Sequence, residues 1–429
     1  MYALSGTRSS RVPVGSVELR PVVAVAPDSI HGDDEAVNPQ TLYYLLSPPG
    51  GQLLREAQAA YDGDNALQVS TSLKTSYEPG QIAAALTQIR LRRRAVAKFG
   101  ADATLMFLTR DGLEQATHSV VAAHRAAKAA RSGARTVLEL GCGVGADLIA
   151  FCRAGLEVTA VDHDRLTARI AAANLEALQL GGQVSVGSAE SQDRSWADLV
   201  YVDPARRSAL GRVFAPQSYS PPWSFVVGVL TADAVVKAAP GLAHEHVPPG
   251  VEAEWVSLDG RLREAALWSG PAVSARRRAT VLTSQGGSTT VTDADDPGSA
   301  DVRRVGRFVY EPDDAVIRAH LVTAVASQMS GWLLEEHLAY VSADRLSPTP
   351  LTRAFEVIDV LPFKEKALRA ALRARDIGPL TIKKRGVTVT PETLRKRLGL
   401  TGSTAATIII TRTPDAAAVL LVRPCQAAG

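Results

Sequence analysis

The segment Val137-Leu-Glu-Leu-Gly-Cys-Gly-Val-Gly145 carries three glycines at alternate positions, behind a short apolar run and ahead of a helical one. Gly141, Gly143 and Gly145 let the turn tighten and let the backbone approach a ligand closely. A helix starting near Ala146 points its free N–H groups into the same crevice. Glu139 stands two residues before Gly141. A carboxylate there repels a pyrophosphate and receives a cationic group, directly or through water. The spacing is GxGxG, where dinucleotide sites use GxGxxG. Asp162 ends the next strand, placed to accept both hydroxyls of a ribose. This combination suits S-adenosylmethionine better than NAD. The competing account is a glycine turn that only packs a helix on a sheet, with Asp162 as a cap.

Ser188-Ala189-Glu190 follows the third candidate strand, where an adenine is commonly met. Glu190 is a candidate acceptor for an exocyclic amine and Ser188 a weaker one; an exposed loop acid is the alternative. Tyr201-Val-Asp-Pro-Ala-Arg-Arg207 ends the fourth strand. The carboxyl ends of parallel strands face the ligand crevice at a switch point. Pro204 biases Asp203 to an extended form and stops the strand. Asp203 can then accept a proton or hydrogen bond from an acceptor group. Arg206 and Arg207 can hold a phosphate or a polar base edge, or else form a solvated rim. Asp203, Pro204 and Arg206 are the candidate catalytic set. Base-amine methylation often uses Asn/Asp-Pro-Pro-aromatic, and the aromatic is missing. Carbon methylation of pyrimidines uses a cysteine nucleophile. Cys142, Cys152 and Cys425 lie in the glycine turn, the following helix and the far terminus. Direct transfer to a nitrogen or oxygen is left, with Asp203 as base. Lys237 ends the next strand and is placed to face the acceptor too. His244 and His246 read as surface histidines, so no metal site is expected.

A parallel sheet is needed to bring these residues together. Thr136–Leu140, Glu157–Val161, Val184–Val186, Asp198–Val202 and Ala234–Lys237 read as strands, with helices over Ala146–Arg153 and Leu166–Leu178 between them. That alternation predicts βαβ units. Asp259-Gly260 and Gly286-Gly287 mark two hairpins beyond them. Ahead of the sheet, Thr41 to Arg131 is helical in pattern, with Ile82, Leu86 and Ile89 at helical spacing and Gln88–Arg94 read as one basic face. The predicted division is 1–40 disordered or outside the true start, 41–131 helical, 132–292 cofactor-binding, 293–349 linker with connecting helices, and 350–429 a small α+β module.

The net charge of +3 over 429 residues does not by itself argue for nucleic acid. From Arg353 to Arg397, however, twelve basic residues face five acidic ones. Lys366, Arg369 and Arg373 share a helix face, and Lys383-Lys384-Arg385 forms a basic turn. This is a footprint suited to phosphates; a solvated basic surface is the alternative. Few aromatics interleave, so stacking on single-stranded bases is not supported. Three cysteines do not make a disulfide framework, and no apolar run is long enough for a bilayer. A cytoplasmic protein without membrane contact is the expectation.

Glu139-Leu-Gly-Cys-Gly-Val-Gly145 with Asp162 and Asp203-Pro-Ala-Arg206 resembles class I methyltransferases. Phe107-Leu-Thr-Arg-Asp-Gly-Leu-Glu-Gln-Ala-Thr117, Asp203–Arg207 and the tail from Ala354 through Ile382–Gly386 to Thr411-Arg412 are similar to the actinobacterial group with a THUMP-like C-terminal domain. The resemblance implies a Rossmann-like sheet, S-adenosylmethionine as cofactor and an RNA substrate, tRNA or rRNA. It also implies Gln115 and Thr117 near the cofactor. Ser188-Ala-Glu190 lacks the usual Asp, and Ala205 replaces a second proline. A small-molecule or protein methyltransferase, or a non-catalytic cofactor-binding protein, are the competing expectations.

Overall fold

Strands β1 (Thr136–Leu140), β2 (Glu157–Asp162), β3 (Gln183–Val186), β4 (Leu199–Val202) and β5 (Ala234–Ala238) run parallel in the order β3-β2-β1-β4-β5. This computed structural model describes residues 39–206 and 219–425. Buried on both faces, such strands need unbroken apolar runs, and β4 is buried at every residue. The chain order reverses between β1 and β4, which opens a crevice beyond their carboxyl ends. Glu139 lies beside Tyr201 across that junction.

The sheet continues through two hairpins. Strand β6 (Glu252–Leu258) turns at Asp259-Gly260 into β7 (Arg261–Trp268), and β7 inserts antiparallel between β5 and β6. Strands β8 (Arg277–Leu282) and β9 (Ser288–Thr292) complete nine strands. Both hairpins fall at the predicted dipeptides.

The Ser119–Arg131 helix is held on the sheet by buried charge. Lys128 pairs with Glu252 and Glu254. Glu254 also accepts from His124 Nε2 at 2.8 Å, Thr280 Oγ1 at 2.7 Å and Trp268 Nε1 at 3.0 Å. Such a group survives burial only because each lone pair is met.

Helices Pro39–Leu45, Pro48–Ala60, Ala66–Leu73 and Pro79–Phe99 precede the sheet. Pro79 sits in the first turn of the last, and Glu78 with Gln81 forms its capping box. The expected basic face on this helix is corrected. Arg92 is buried and donates to Met106 O at 2.8 Å, Leu105 O at 3.0 Å and Gln58 Oε1 at 2.8 Å. Gln88 exchanges two hydrogen bonds with the Leu108 backbone. The helix therefore anchors the 105–108 segment.

The stretch 293–349 is more than a linker with helices. Strands β10 (Phe308–Pro312), β11 (Trp332–Leu333) and β12 (Val341–Ala343) join β13 (Thr352–Pro362), β14 (Ile377–Lys384), β15 (Thr404–Arg412) and β16 (Ala417–Pro424) in one seven-stranded sheet. β10 pairs antiparallel with β13, so the C-terminal sheet extends across residue 350. Phe308 and Tyr310 share a core with Val200, Val236 and Trp255. Two helices, Glu365–Arg373 and Pro391–Leu398, cover the far end through Leu368, Leu372, Leu394 and Leu398.

Candidate active site

The turn after β1 forces positive φ on its glycines, +85° at Gly141 and +56° at Gly143. A Cβ on Gly141 would come within 3.1 Å of the Asp203 carbonyl oxygen, so the β1 and β4 ends can close only on glycine. A Cβ on Gly143 would meet nothing within 4 Å, which leaves open space over the turn. Gly145 begins the Ala146–Arg153 helix in a left-handed conformation.

Asp162 ends β2 beneath this turn. Its Oδ2 accepts the Gly143 N–H at 3.0 Å and its Oδ1 the Asp164 N–H at 3.0 Å. A carboxylate has about four acceptor positions, so capping the turn leaves capacity for a diol. Glu139 is 1% exposed, and its Oε2 has no hydrogen-bond partner among the described residues. Burial, with Asp147 and Asp203 adding to it, pushes its carboxyl well above the usual carboxylate range.

A charged chain crosses the crevice beside Glu139. Lys237 donates to Asp203 Oδ2 at 2.7 Å and to Thr117 Oγ1 at 2.9 Å. Thr117 donates to Asp147 Oδ2 at 2.6 Å, and Tyr201 donates to the same oxygen at 3.0 Å. Arg125 bridges Asp147 and Glu264, with its guanidinium 4.8 Å from the Tyr201 ring centre. Burial opposes the charge on Lys237, but Asp203 and Asp147 outweigh it and raise the ammonium above its ordinary value. Burial pushes the Tyr201 phenol up, so it stays a donor.

The Phe107–Thr117 segment lies against the glycine turn. Asn174 accepts from Phe107 N at 2.6 Å and donates to Val144 O at 2.8 Å. A Cβ on Gly112 would strike Val144 Cγ1 at 2.5 Å, so the Arg110–Gln115 helix approaches the turn over a glycine. Lys98 donates to Leu113 O at 2.5 Å and Ala116 O at 2.8 Å, tying down the helix end. Thr117 thereby lands inside the charged chain, while Gln115 stays exposed.

The structure brings Glu139, Gly141, Gly143, Gly145, Asp162, Thr117 and Asp203 around one crevice. Ser188 and Glu190 are exposed in a turn beyond β3, hydrogen-bonded to each other, and the Ser188 hydroxyl holds the Glu190 carboxyl below its usual value. Pro204 is buried. The Arg206 backbone pairs with Tyr219; its side chain, Arg207 and residues 1–38 lie outside the described residues. Sequence reasoning missed Arg125, Asp147 and Glu264, and gave Tyr201 no role. Arg125 sat in an alanine-rich helix beside other cations, and Asp147 looked like an ordinary first-turn acid. Tyr201 was visible as the residue two before Asp203, on the opposite strand face from Val202.

The cations of the C-terminal sheet separate into two groups. Lys383 Nζ lies 2.6 Å from Glu311, and Arg385 lies 4.0 Å from Glu311 and 5.5 Å from the Tyr340 ring centre. Lys384 donates to Val387 O at 3.2 Å. The basic turn thus folds largely onto its own domain. Arg369 contacts Glu365 and the Arg397 carbonyl, and Arg373 donates to Gly399 O at 2.9 Å, with their helices side by side. Lys366, Lys396 and Arg397 are exposed on that helix pair.

No cluster of metal-ligating residues and no helix long and apolar enough to cross a membrane occurs among the described residues. The strand order, with an antiparallel β7 inserted beyond β5, and the glycine turn above Asp162 define a class I methyltransferase. Two proteins from strains of Mycobacterium tuberculosis, each named an uncharacterized S-adenosylmethionine-dependent methyltransferase, are 37% identical over 334 residues, 75% of this chain and 90% of theirs. The chain belongs to this S-adenosylmethionine-dependent methyltransferase family. Residues 352–424 match a model described as THUMP domain-like, and residues 38–95 match a domain of unknown function, DUF8688. A crystal structure from Porphyromonas gingivalis W83, named as that of a putative methyltransferase, aligns with a TM-score of 0.66 at 20% identity, over 85% of this chain and all of that one, and so shares the fold. The open turn at Gly143, the unpartnered Glu139 oxygen and the spare acceptor capacity of Asp162 fit the cofactor this family uses.

Proposed function

We propose that this methyltransferase modifies RNA, tRNA or rRNA, at a base nitrogen or an oxygen, within the reducing cytoplasm. Exposed Lys366, Lys396 and Arg397 on the paired helices of a THUMP domain-like sheet carry this reading. Lys366, Arg369 and Arg373 form one rail for phosphates, and the Lys383–Arg385 turn stabilises the domain that presents it.

Glu139, Gly141, Gly143, Gly145 and Asp162 hold the cofactor, with Ser188 and Glu190 at its adenine end and Gln115 and Thr117 over it. The bound cofactor supplies an electrophilic methyl group on sulfur. Asp203 accepts a hydrogen bond from the N–H or O–H to be methylated, which aims a lone pair at that methyl. After transfer Asp203 takes the proton from the now cationic acceptor. Lys237 fixes the Asp203 carboxylate, and Pro204 stiffens the strand exit.

This reading uses no cysteine for covalent catalysis. Cys142 is buried in the glycine turn with its thiol pushed up by burial, and Cys152 donates to Gly181 O at 3.0 Å. Cys425 follows β16 at the end of the second sheet.

Incubation with methyl-labelled S-adenosylmethionine and separate tRNA, rRNA, protein and metabolite fractions tests the assignment. Label enters an RNA fraction and is lost with Asp203→Ala. Label in protein or metabolites only would refute the RNA substrate. The packing of Phe308 and Tyr310 into the catalytic core favours this rival, in which the C-terminal sheet only buttresses the enzyme.

A further inference from the structure

We infer that Glu139 carries a proton before the methyl donor binds and releases it to solvent as the cationic donor enters. The inference rests on the reading that Glu139 faces the donor. Glu139 is 1% exposed, on the β1 end where the crevice opens, and its Oε2 has no partner among the described residues.

The charges packed around it come from four elements. Asp147 lies on the helix after the glycine turn, Asp203 at the end of β4, Arg125 on the Ser119–Arg131 helix and Lys237 at the end of β5. The thiols of Cys142 and Cys152 are held neutral by burial. Both cations are engaged by other acids: Arg125 bridges Asp147 and Glu264, and Lys237 holds Asp203. Glu139 is thus a further acid with no cation of its own. An isolated buried carboxylate is costly enough that the group neutralises instead. Burial and the two acids push its carboxyl well above the usual range, in agreement with that geometry.

S-adenosylmethionine carries a permanent sulfonium charge and an ammonium group. Either within about 4–6 Å of the carboxyl favours the ionised form. One O–H bond of Glu139 breaks, the proton passes to buffer, and the donor's charge replaces it. The linkage has a definite sign. The donor binds the deprotonated carboxylate, so affinity falls as pH drops through the Glu139 titration, by about tenfold per pH unit well below it.

Calorimetric titration of the full chain with S-adenosylmethionine tests this, near pH 7 in phosphate, HEPES and Tris. The apparent binding heat should vary linearly with buffer ionisation heat, with a slope whose sign marks net proton release. Glu139→Gln keeps the shape and removes the proton, so its slope should be flat. A flat wild-type slope, or a slope retained in Glu139→Gln, overturns the inference, and the wild-type result stands even if the variant misfolds. Should Glu139→Gln bind as tightly as wild type at every pH of a titration series, Glu139 does not face the donor and the site assignment itself fails. Weakened variant binding with a flat wild-type slope would spare the assignment and reject only the proton release.

Discussion

Lys237 stands between Asp203 and Thr117, 2.7 Å from the carboxylate of the first and 2.9 Å from the hydroxyl of the second. One ammonium thus joins the end of β4, the proposed acceptor side, to the segment that covers the glycine turn. Lys237→Met leaves Asp203 without its charged donor. A hydrogen bond to a charged group contributes about 1.5–3 kcal/mol, so methyl transfer to the RNA fraction should fall roughly 10- to 150-fold. S-adenosylmethionine affinity, measured by calorimetry, should change by less than about threefold, a shift under 1 kcal/mol. Equal losses in both would mean that Lys237 supports the whole crevice and not the acceptor end.

Asp162 caps the turn at Gly143, and in the proposed site it also receives the ribose. Asp162→Ala should weaken S-adenosylmethionine binding about 100-fold or more, since each lost hydrogen bond to a charged acceptor counts 1.5–3 kcal/mol. Asp162→Asn keeps one acceptor oxygen and should fall between. Calorimetric titration reads both. Unchanged affinity in Asp162→Ala would reduce the residue to a structural cap.

The local grammar of the site was legible because backbone geometry demanded it. Gly141 and Gly143 adopt positive φ, so the turn could be seen in the glycine spacing. Asp203 was visible because Pro204 ends a strand at the carboxyl edge of a parallel sheet. What stayed hidden depends on contacts distant in sequence. Arg125 meets Glu264 across 139 positions, and Lys237 meets Thr117 across 120. No local period reports such pairs. Arg92 shows the same limit from the other side. It sits in a run of basic residues, yet it is buried against the Leu105 and Met106 carbonyls. β10 was missed because five residues from Phe308 to Pro312 are recognisable as a strand only beside β13.

Glu254 provides a stability test away from the site. It accepts hydrogen bonds from His124, Lys128, Thr280 and Trp268. Burial opposes its charge, but the His124 hydrogen bond and Lys128 outweigh burial and hold the carboxyl far below its ordinary value. A depressed folded value stabilises the fold above the unfolded carboxylate's titration and is lost as pH falls through it. Chemical denaturation should therefore show wild-type stability declining below about pH 5, with a shallower decline in Glu254→Gln. Glu254→Ala leaves Lys128 and His124 facing a reduced acid set and should cost about 3–5 kcal/mol at neutral pH. A loss below about 1 kcal/mol, the scale of an exposed pair, would show that water reaches the cluster.

The C-terminal surface calls for point variants, because deleting residues 351–429 would strip β10 of β13 and uncover an edge in the shared core. Lys366, Lys396 and Arg397 are exposed on the helix pair, Arg397 at 3.9 Å from the exposed Glu365, whereas the half-buried Lys383 is held by Glu311. Lys396→Glu with Arg397→Glu should weaken RNA binding at least tenfold at moderate salt. Each lost phosphate contact should also reduce the slope of log affinity against log salt by about 0.7–0.9. Lys383→Ala should leave that slope unchanged and act instead on thermal stability, since Glu311 would lose its ammonium partner. RNA affinity titrated across a salt series distinguishes the two. If Lys383→Ala flattens the slope while the helix-pair variant leaves it unchanged, the phosphates dock at the β14 turn, and Glu311 is displaced when RNA binds.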